Sequence, residues 1–197
     1  MDRIDWNAVQ TLTPRGFDCA WCGRAVSSSV GIPAINHGVG KTEQIYICSH
    51  CYRPSYFGWH TRSATEFQVP GVSPGNPVTH VPQLVSELYE EARRSAGAGC
   101  HTGAVHLCRK LLMNIAVEEG AEADKTFAHY VDFLAAKGFV PPNGKAWVDH
   151  IRKVGNVAAH QIEVMSAQQS SELITFVEML LRFIYEFPNR VPKQAAG

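Results

Sequence analysis

From residue 83 onward, apolar positions recur every three or four residues, the spacing of helices with one buried stripe. Gln83–Ala96 sets Leu84, Leu88 and Ala92 on one face before Gly97 and Gly99 stop it. Thr102–Glu119 carries Ala104, Cys108, Leu111 and Ile115, with Gly120 just beyond. Lys125–Lys137 carries Phe127, Tyr130, Val131 and Leu134 and again meets a glycine. After Pro141-Pro142, Lys145–His160 carries Val148, Ile151, Val154 and Ala158. Ala167–Phe187 carries Leu173, Val177, Leu180 and Ile184, and Pro188 follows. Five helices with short connections predict an all-α bundle over 83–190.

Upstream the texture changes. Residues 1–66 hold short β-branched runs, many Gly and Ser, and four of the six cysteines. In TEQIYICSHC, Ile45 and Ile47 alternate with Tyr46, which predicts a strand leading into a cysteine pair. The stretch FQVPGVSPGNPVTHVP, 67–82, has four prolines and two glycines and reads as an extended linker. Residues 191–197 read as a tail. The expected architecture is therefore mainly α: about five bundled helices preceded by a small β ribbon.

Composition narrows the function. Eighteen Lys and Arg balance eighteen Asp and Glu. Neither half is a basic block, with six basic and five acidic residues over 1–80. A strong, sequence-indifferent grip on nucleic acid normally shows as clustered cations, and that signal is missing at this scale. The N-terminus carries charges and no apolar run, and LITFVEMLLRFIYEF is cut by Glu178, Arg182 and Glu186. Neither a secretory signal nor a membrane span is expected, which points to the cytoplasm, where thiols stay reduced.

The cysteines change the picture most. Cys19-x2-Cys22 and Cys48-x2-Cys51 are separated by 25 residues. Two residues between ligands let one tight turn aim both thiolates at a single tetrahedral ion. Two disulfides would suit a secreted chain, and a redox Cys-x-x-Cys would need only one pair. The pattern predicts a zinc ribbon with one structural Zn2+ per chain, held by Cys19, Cys22, Cys48 and Cys51. Four protein ligands leave no open position for catalysis. His37, His50 and His60 stand near enough in sequence to replace a cysteine. Trp21, Tyr52, Tyr56 and Trp59 cluster around the two pairs and offer stacking faces for bases or a protein partner, or cover a tiny core. GVGKT at 38–42 imitates a phosphate-binding loop, but the first glycine it requires falls on Ile35 and a strand follows.

In IRKVGNVAAH, Arg152, Asn156 and His160 are four apart and share one helical face. GAVHLCRKLL, VDFLAAKGFV, VDHIRKVGNVAAH and FVEMLLRFIYEFPNR, in that order over roughly 80–190, resemble one group in the HEPN superfamily. It is the bacterial and phage domain of unknown function also found fused to restriction-enzyme subunits. The GN-x3-H element is the most specific part of the likeness. The resemblance implies a HEPN-like helical fold, a homodimer, and association with nucleic-acid processing or an anti-phage defence or restriction partner.

Many HEPN proteins are metal-independent ribonucleases with Arg-x4-6-His, often with Asn after the Arg. Histidine shuttles the proton and arginine offers a charged fork to the phosphate. Asn156 and His160 match, but Gly155 fills the arginine slot. Arg152 lies one turn earlier on the same face, and Arg109 matches an arginine of the family's second helix. Arg94-x6-His101 fits by count alone, with Gly97 and Gly99 inside it. Gly155 and Ala159 beside the stripe also predict close approach of another helix, in packing or dimerisation. These readings favour a non-enzymatic recognition and dimerisation module. A ribonuclease using His160, Asn156, Arg152 and Arg109, and an adaptor without nucleic-acid contact, are the alternatives.

Overall fold

A computed structural model of the chain describes residues 4–36, 41–60, 62–63, 65–141, 143–160 and 163–190; the side chains at 35–36, 41, 145 and 156–160 lie outside that description. The chain divides into two compact units, Met1–Ser73 and Pro74–Gly197.

The first unit overturns the mainly-α expectation. It is a five-stranded antiparallel sheet in chain order: β1 Gln10–Asp18, β2 Ala25–Asn36, β3 Lys41–Ile47, β4 Pro54–Trp59 and β5 Glu66–Val69. The molecule is a β-sheet unit followed by a helical unit, not a helical bundle with a small ribbon attached. The long β2–β3 hairpin, paired from Gly31↔Tyr46 to Asn36↔Lys41, fills the 25-residue gap between the cysteine pairs. Thr42 lies in β3, so no helix follows the glycines of GVGKT.

The strands were hard to read because their interior is partly polar. Ser28 is buried and donates to the Ile47 carbonyl at 2.6 Å. Tyr46 is buried and donates to the Thr13 carbonyl at 2.9 Å. Arg15 lays its guanidinium 3.8 Å from the Phe57 ring centroid. Phe17, Tyr46 and Phe57 complete an aromatic cluster in tilted and edge-on contacts. Hydrogen bonds and cation–π contact stand in for a simple alternation of apolar and polar residues. The sheet curls until its outer strands meet through side chains. Arg15 of β1 donates both arms to Glu66 of β5, at 2.9 and 2.5 Å, and Gln68 Nε2 donates to the Asp18 carbonyl. A sheet joined in this way leaves less bare edge for another chain to extend.

The second unit contains helices α1 Gln83–Gly97, α2 His101–Glu118, α3 Phe127–Ala136, α4 Lys145–His160 and α5 Ala167–Leu181. Their core includes Leu111, Leu112, Ile115, Val131, Leu134, Ile151, Leu173, Phe176 and Leu180. Ser166 caps α5 in a capping box with Gln169, each satisfying the other's backbone N–H. Two expectations shift. The buried face of α1 is Val85, Tyr89, Ala92 and Ala96, while Leu84 is 79% exposed. Two overlapping stripes fit α1, and the one holding Tyr89 wins because its hydroxyl reaches the Asn76 carbonyl. Helical backbone also continues past the expected stop, through a π turn at Arg182–Glu186 into Phe187–Arg190. The wider turn frees the carbonyl that Pro188 would strike in a regular helix.

The proline-rich stretch is not a free tether. Three of its residues lie in β5, and 74–82 forms a strap on the helical unit. Arg93 donates to the carbonyls of Pro74 and Gly75. Glu178 accepts the Asn76 N–H at 2.8 Å, and Glu186 accepts the Thr79 N–H at 3.2 Å. Glu186 is almost fully buried, and Arg182 and Arg190 offset its charge.

Candidate functional site

Two sequence segments of one design carry the clustered cysteines. Cys19–Arg24 joins β1 to β2, and Cys48–Arg53 joins β3 to β4. In the first, the Cys19 N–H donates to the Arg24 carbonyl and the Gly23 N–H to the Cys19 carbonyl. In the second, the Cys48 N–H donates to the Arg53 carbonyl and the Tyr52 N–H to the Cys48 carbonyl. The fifth residue of each turn is left-handed, Gly23 at φ +67° and Tyr52 at φ +59°. Glycine adopts that conformation freely, whereas tyrosine there is strained. Trp6 braces the strained turn from the segment before β1, its indole N–H donating to the Tyr52 carbonyl at 2.7 Å. Trp6 also lines a cavity of about 380 Å³ with Ser28, Ile47 and Cys48. Nothing local in the sequence ties Trp6 to a cysteine pair that begins 42 residues on.

The turns bring all four sulfur atoms within 4.8 Å of one another. Cys19 Sγ lies 3.7 Å from Cys51 Sγ, and Cys22 Sγ lies 3.9 Å from Cys48 Sγ. A disulfide needs about 2.05 Å, so these are not bonded pairs. Four sulfurs at about 2.3 Å from a central ion would stand about 3.8 Å apart along each tetrahedral edge, and the Cys19–Cys51 and Cys22–Cys48 separations are close to this. Cys19, Cys48 and Cys51 are buried and Cys22 is half-buried. Burial pushes the Cys19 thiol up to about 12 and raises Cys51 as well. Burial also works against the Cys48 thiolate, but the N–H groups of Cys51 and His50, each 3.4 Å from its sulfur, hold it below the ordinary thiol value. Such a cluster lacks the positive charge that four thiolates need, and a divalent cation supplies it. His50 is exposed, and neither it nor His60 belongs to the cluster among the described residues; His37 lies outside them.

The aromatic candidates divide. Trp21 is 43% exposed, donates its indole N–H to the Pro54 carbonyl, and carries Arg53 at 5.1 Å from its ring. Tyr52 is also exposed. Tyr56 instead donates its hydroxyl to Glu43, a bond that raises the phenol pKa, and packs edge-on against Phe67. Trp59 is half-buried. Trp21 and Tyr52 present surface, while Tyr56 contributes to packing.

On α4 the three residues of the polar stripe and the neighbouring Gly155 have different fates. Asn156 and His160 are helical in backbone, but their side chains lie outside the described residues. Arg152 faces Asp149 at 3.1 Å and Asp132 of α3 at 3.4 Å. Gly155 is buried, and an added Cβ would meet the Phe127 ring, 2.6 Å from Cδ1, and Arg109 Nη1 at 2.9 Å. Gly155 thus serves contact with α3 and α2 of the same chain, so its smallness is explained without a second copy. Arg109 reaches this point from α2: its Nη1 donates to the Gly155 carbonyl, and its guanidinium lies 4.3 Å from the Phe127 centroid. Burial pulls its pKa down. His101, the other end of the Arg94 coincidence, rests its Nδ1 3.0 Å from Ser170 Oγ.

Among the described residues no helix is long and apolar enough to cross a membrane. A family model described as Domain of unknown function (DUF4145) matches residues 90–196, inside the helical unit. No curated protein and no solved structure matches the chain.

Proposed function

We propose, from the premise that the chain belongs to the DUF4145 family of domains of unknown function, that it is a non-enzymatic recognition module built on a zinc-clipped sheet. The observation that carries this reading is the clustering of the Cys19, Cys22, Cys48 and Cys51 sulfurs within 4.8 Å of one another. Those four thiolates would hold Zn2+, and bound zinc supplies a cross-link rather than a reactive position. The helical unit is HEPN-like on this reading, which associates the module with nucleic-acid-related or anti-phage defence machinery. Support for recognition over catalysis comes from α4. Gly155 occupies the slot where a HEPN ribonuclease keeps arginine, and Phe127 leaves no room for a side chain there. Arg152 spends its charge on two carboxylates. On the sheet unit, exposed Trp21 with Arg53 stacked over it gives a flat, positively edged surface suited to a base.

Metal analysis of the purified chain is expected to return one zinc per chain, and Cys48→Ser to lose most of it. Incubation with single-stranded RNA without added divalent cation is expected to leave the RNA intact. Cleavage that disappears in His160→Ala would establish the ribonuclease instead.

A further inference from the structure

Arg109 is a half-buried cation without a counter-ion among the described residues. Its neighbours within the described residues are the Phe127 ring and the Gly155 carbonyl, and burial alone accounts for its lowered pKa. Removing a guanidinium from water without a carboxylate is costly, and a ring face plus one carbonyl orient the charge without neutralising it. The surroundings deepen the imbalance. From His101 to Val117, α2 carries no acidic residue, while His106 stands one turn before Arg109 and Lys110 directly follows it. The carboxylates of α3 and α4 that could have answered it, Asp132 and Asp149, face Arg152.

The geometry is also prepared. Gly155 has to be bare for the guanidinium to lie against the α4 backbone, since a Cβ would press on both Phe127 and Nη1. Nη1 is taken by the Gly155 carbonyl, and no described residue bonds Nε or Nη2. That free edge presents two parallel N–H donors, the arrangement that grips two oxygens of one phosphate group. Because the Phe127 ring and the Gly155 carbonyl both hold the side chain, less rotamer entropy remains to be lost on binding.

We propose that the Nε–Nη2 edge of Arg109, held between Phe127 and the Gly155 carbonyl, is a phosphate-binding site. The ligand chemistry is a phosphate oxyanion, supplied either as free phosphate or as a phosphodiester of a single-stranded nucleic acid. The site deepens the recognition reading above by giving a nucleic-acid backbone a place to bind, yet it stands on Arg109's own contacts.

The test is protection of Arg109 from phenylglyoxal in the intact zinc-loaded chain at low ionic strength, read by peptide mass spectrometry. Inorganic phosphate is one arm and a single-stranded oligoribonucleotide the other. Slower modification of the Arg109 peptide in either arm supports the site. Protection by phosphate alone keeps the site and removes nucleic acid as its source. Equal modification with and without both ligands overturns it. In parallel, Arg109→Gln is expected to weaken binding of whichever ligand protects by on the order of tenfold to a hundredfold, and Arg109→Lys, which keeps charge but loses the fork, by less. Equal binding of the protecting ligand by a folded Arg109→Gln chain would sink this site while leaving the recognition reading of the module intact. Should that variant fail to fold, the protection result on the unmodified sequence decides alone.

Discussion

The two units solve the same problem with different materials. In the sheet unit the most deeply buried residues are Cys19, Cys48 and Ser55, followed by Tyr46, Cys51, Phe57, Ile47 and Ser28, a set short of aliphatic side chains. In the helical unit Leu112, Ile115, Val131, Leu134, Ile151, Leu173, Phe176 and Leu180 are all fully buried. Apolar burial stabilises at about 25 cal/mol per Å², so the second inventory can hold a fold together and the first cannot do so alone. Small units with little core commonly rely on a metal or disulfides. A single ion placed between two turns can replace a core, because it joins segments that are distant in sequence at one point.

The largest expected effect separates the units. Removing zinc with a strong chelator, or introducing Cys48→Ser, should cost the sheet unit on the order of 10 kcal/mol, enough to unfold it. Hydrogen exchange should show amides of β1 to β4 losing protection while those of α2 and α5 retain it. Protection of the strands that survives complete metal removal would end the contrast, since the sheet would then be held by its own side chains. The next effect runs the other way. Leu112→Ala removes a fully buried side chain from α2 and should destabilise the helical unit by about 2–5 kcal/mol. Zinc content should stay at one per chain, and a loss of zinc in this variant would show that the units do not stand separately.

The same division explains what could be read from the residues alone. The helices follow from a period that is local, so α2, α3 and α5 show their buried stripes directly, as in Phe127, Tyr130, Val131 and Leu134. The cysteine turns are local too, since each is six residues long and its spacing sets the aim of its sulfurs. Strands β1 and β2 are not legible in the sequence, because Arg15, Ser28 and, from β3, Tyr46 bond partners 19 to 51 residues away. No window along the chain contains that information. Gly155 illustrates the limit at a single residue. Its smallness is visible in the sequence, but the reason for it is a ring on α3 and a guanidinium on α2, and only the folded chain brings those three together. The match to an arginine of the family's second helix is what marks Arg109 in the sequence, and it gains meaning only once Phe127 and the Gly155 carbonyl are known as its partners.

The smallest expected effect concerns acid, which should weaken both units by different routes. In the sheet unit protons would compete with the proposed zinc for the thiolates. In the helical unit the sensitive contact is His150 of α4 with Glu172 of α5, 2.7 Å apart, assisted by Gln168. The hydrogen bond from His150, then that from Gln168, lowers the Glu172 pKa. A carboxylate whose folded pKa is depressed contributes stability that is fully present above its unfolded pKa and lost as pH falls through the folded value. Glu172→Gln should therefore destabilise the helical unit near neutral pH and have no effect once acid has protonated the wild-type carboxylate. The pair is partly exposed, with the His150 side chain 46% accessible, so the difference should be only about 0–1 kcal/mol and shrink with added salt. Exchange of the α4 amides is the appropriate readout, because it follows this contact without sensing the metal. A gap between wild type and variant that widens on acidification would reverse the sign of the linkage and place the acid-sensitive group elsewhere in the helical unit.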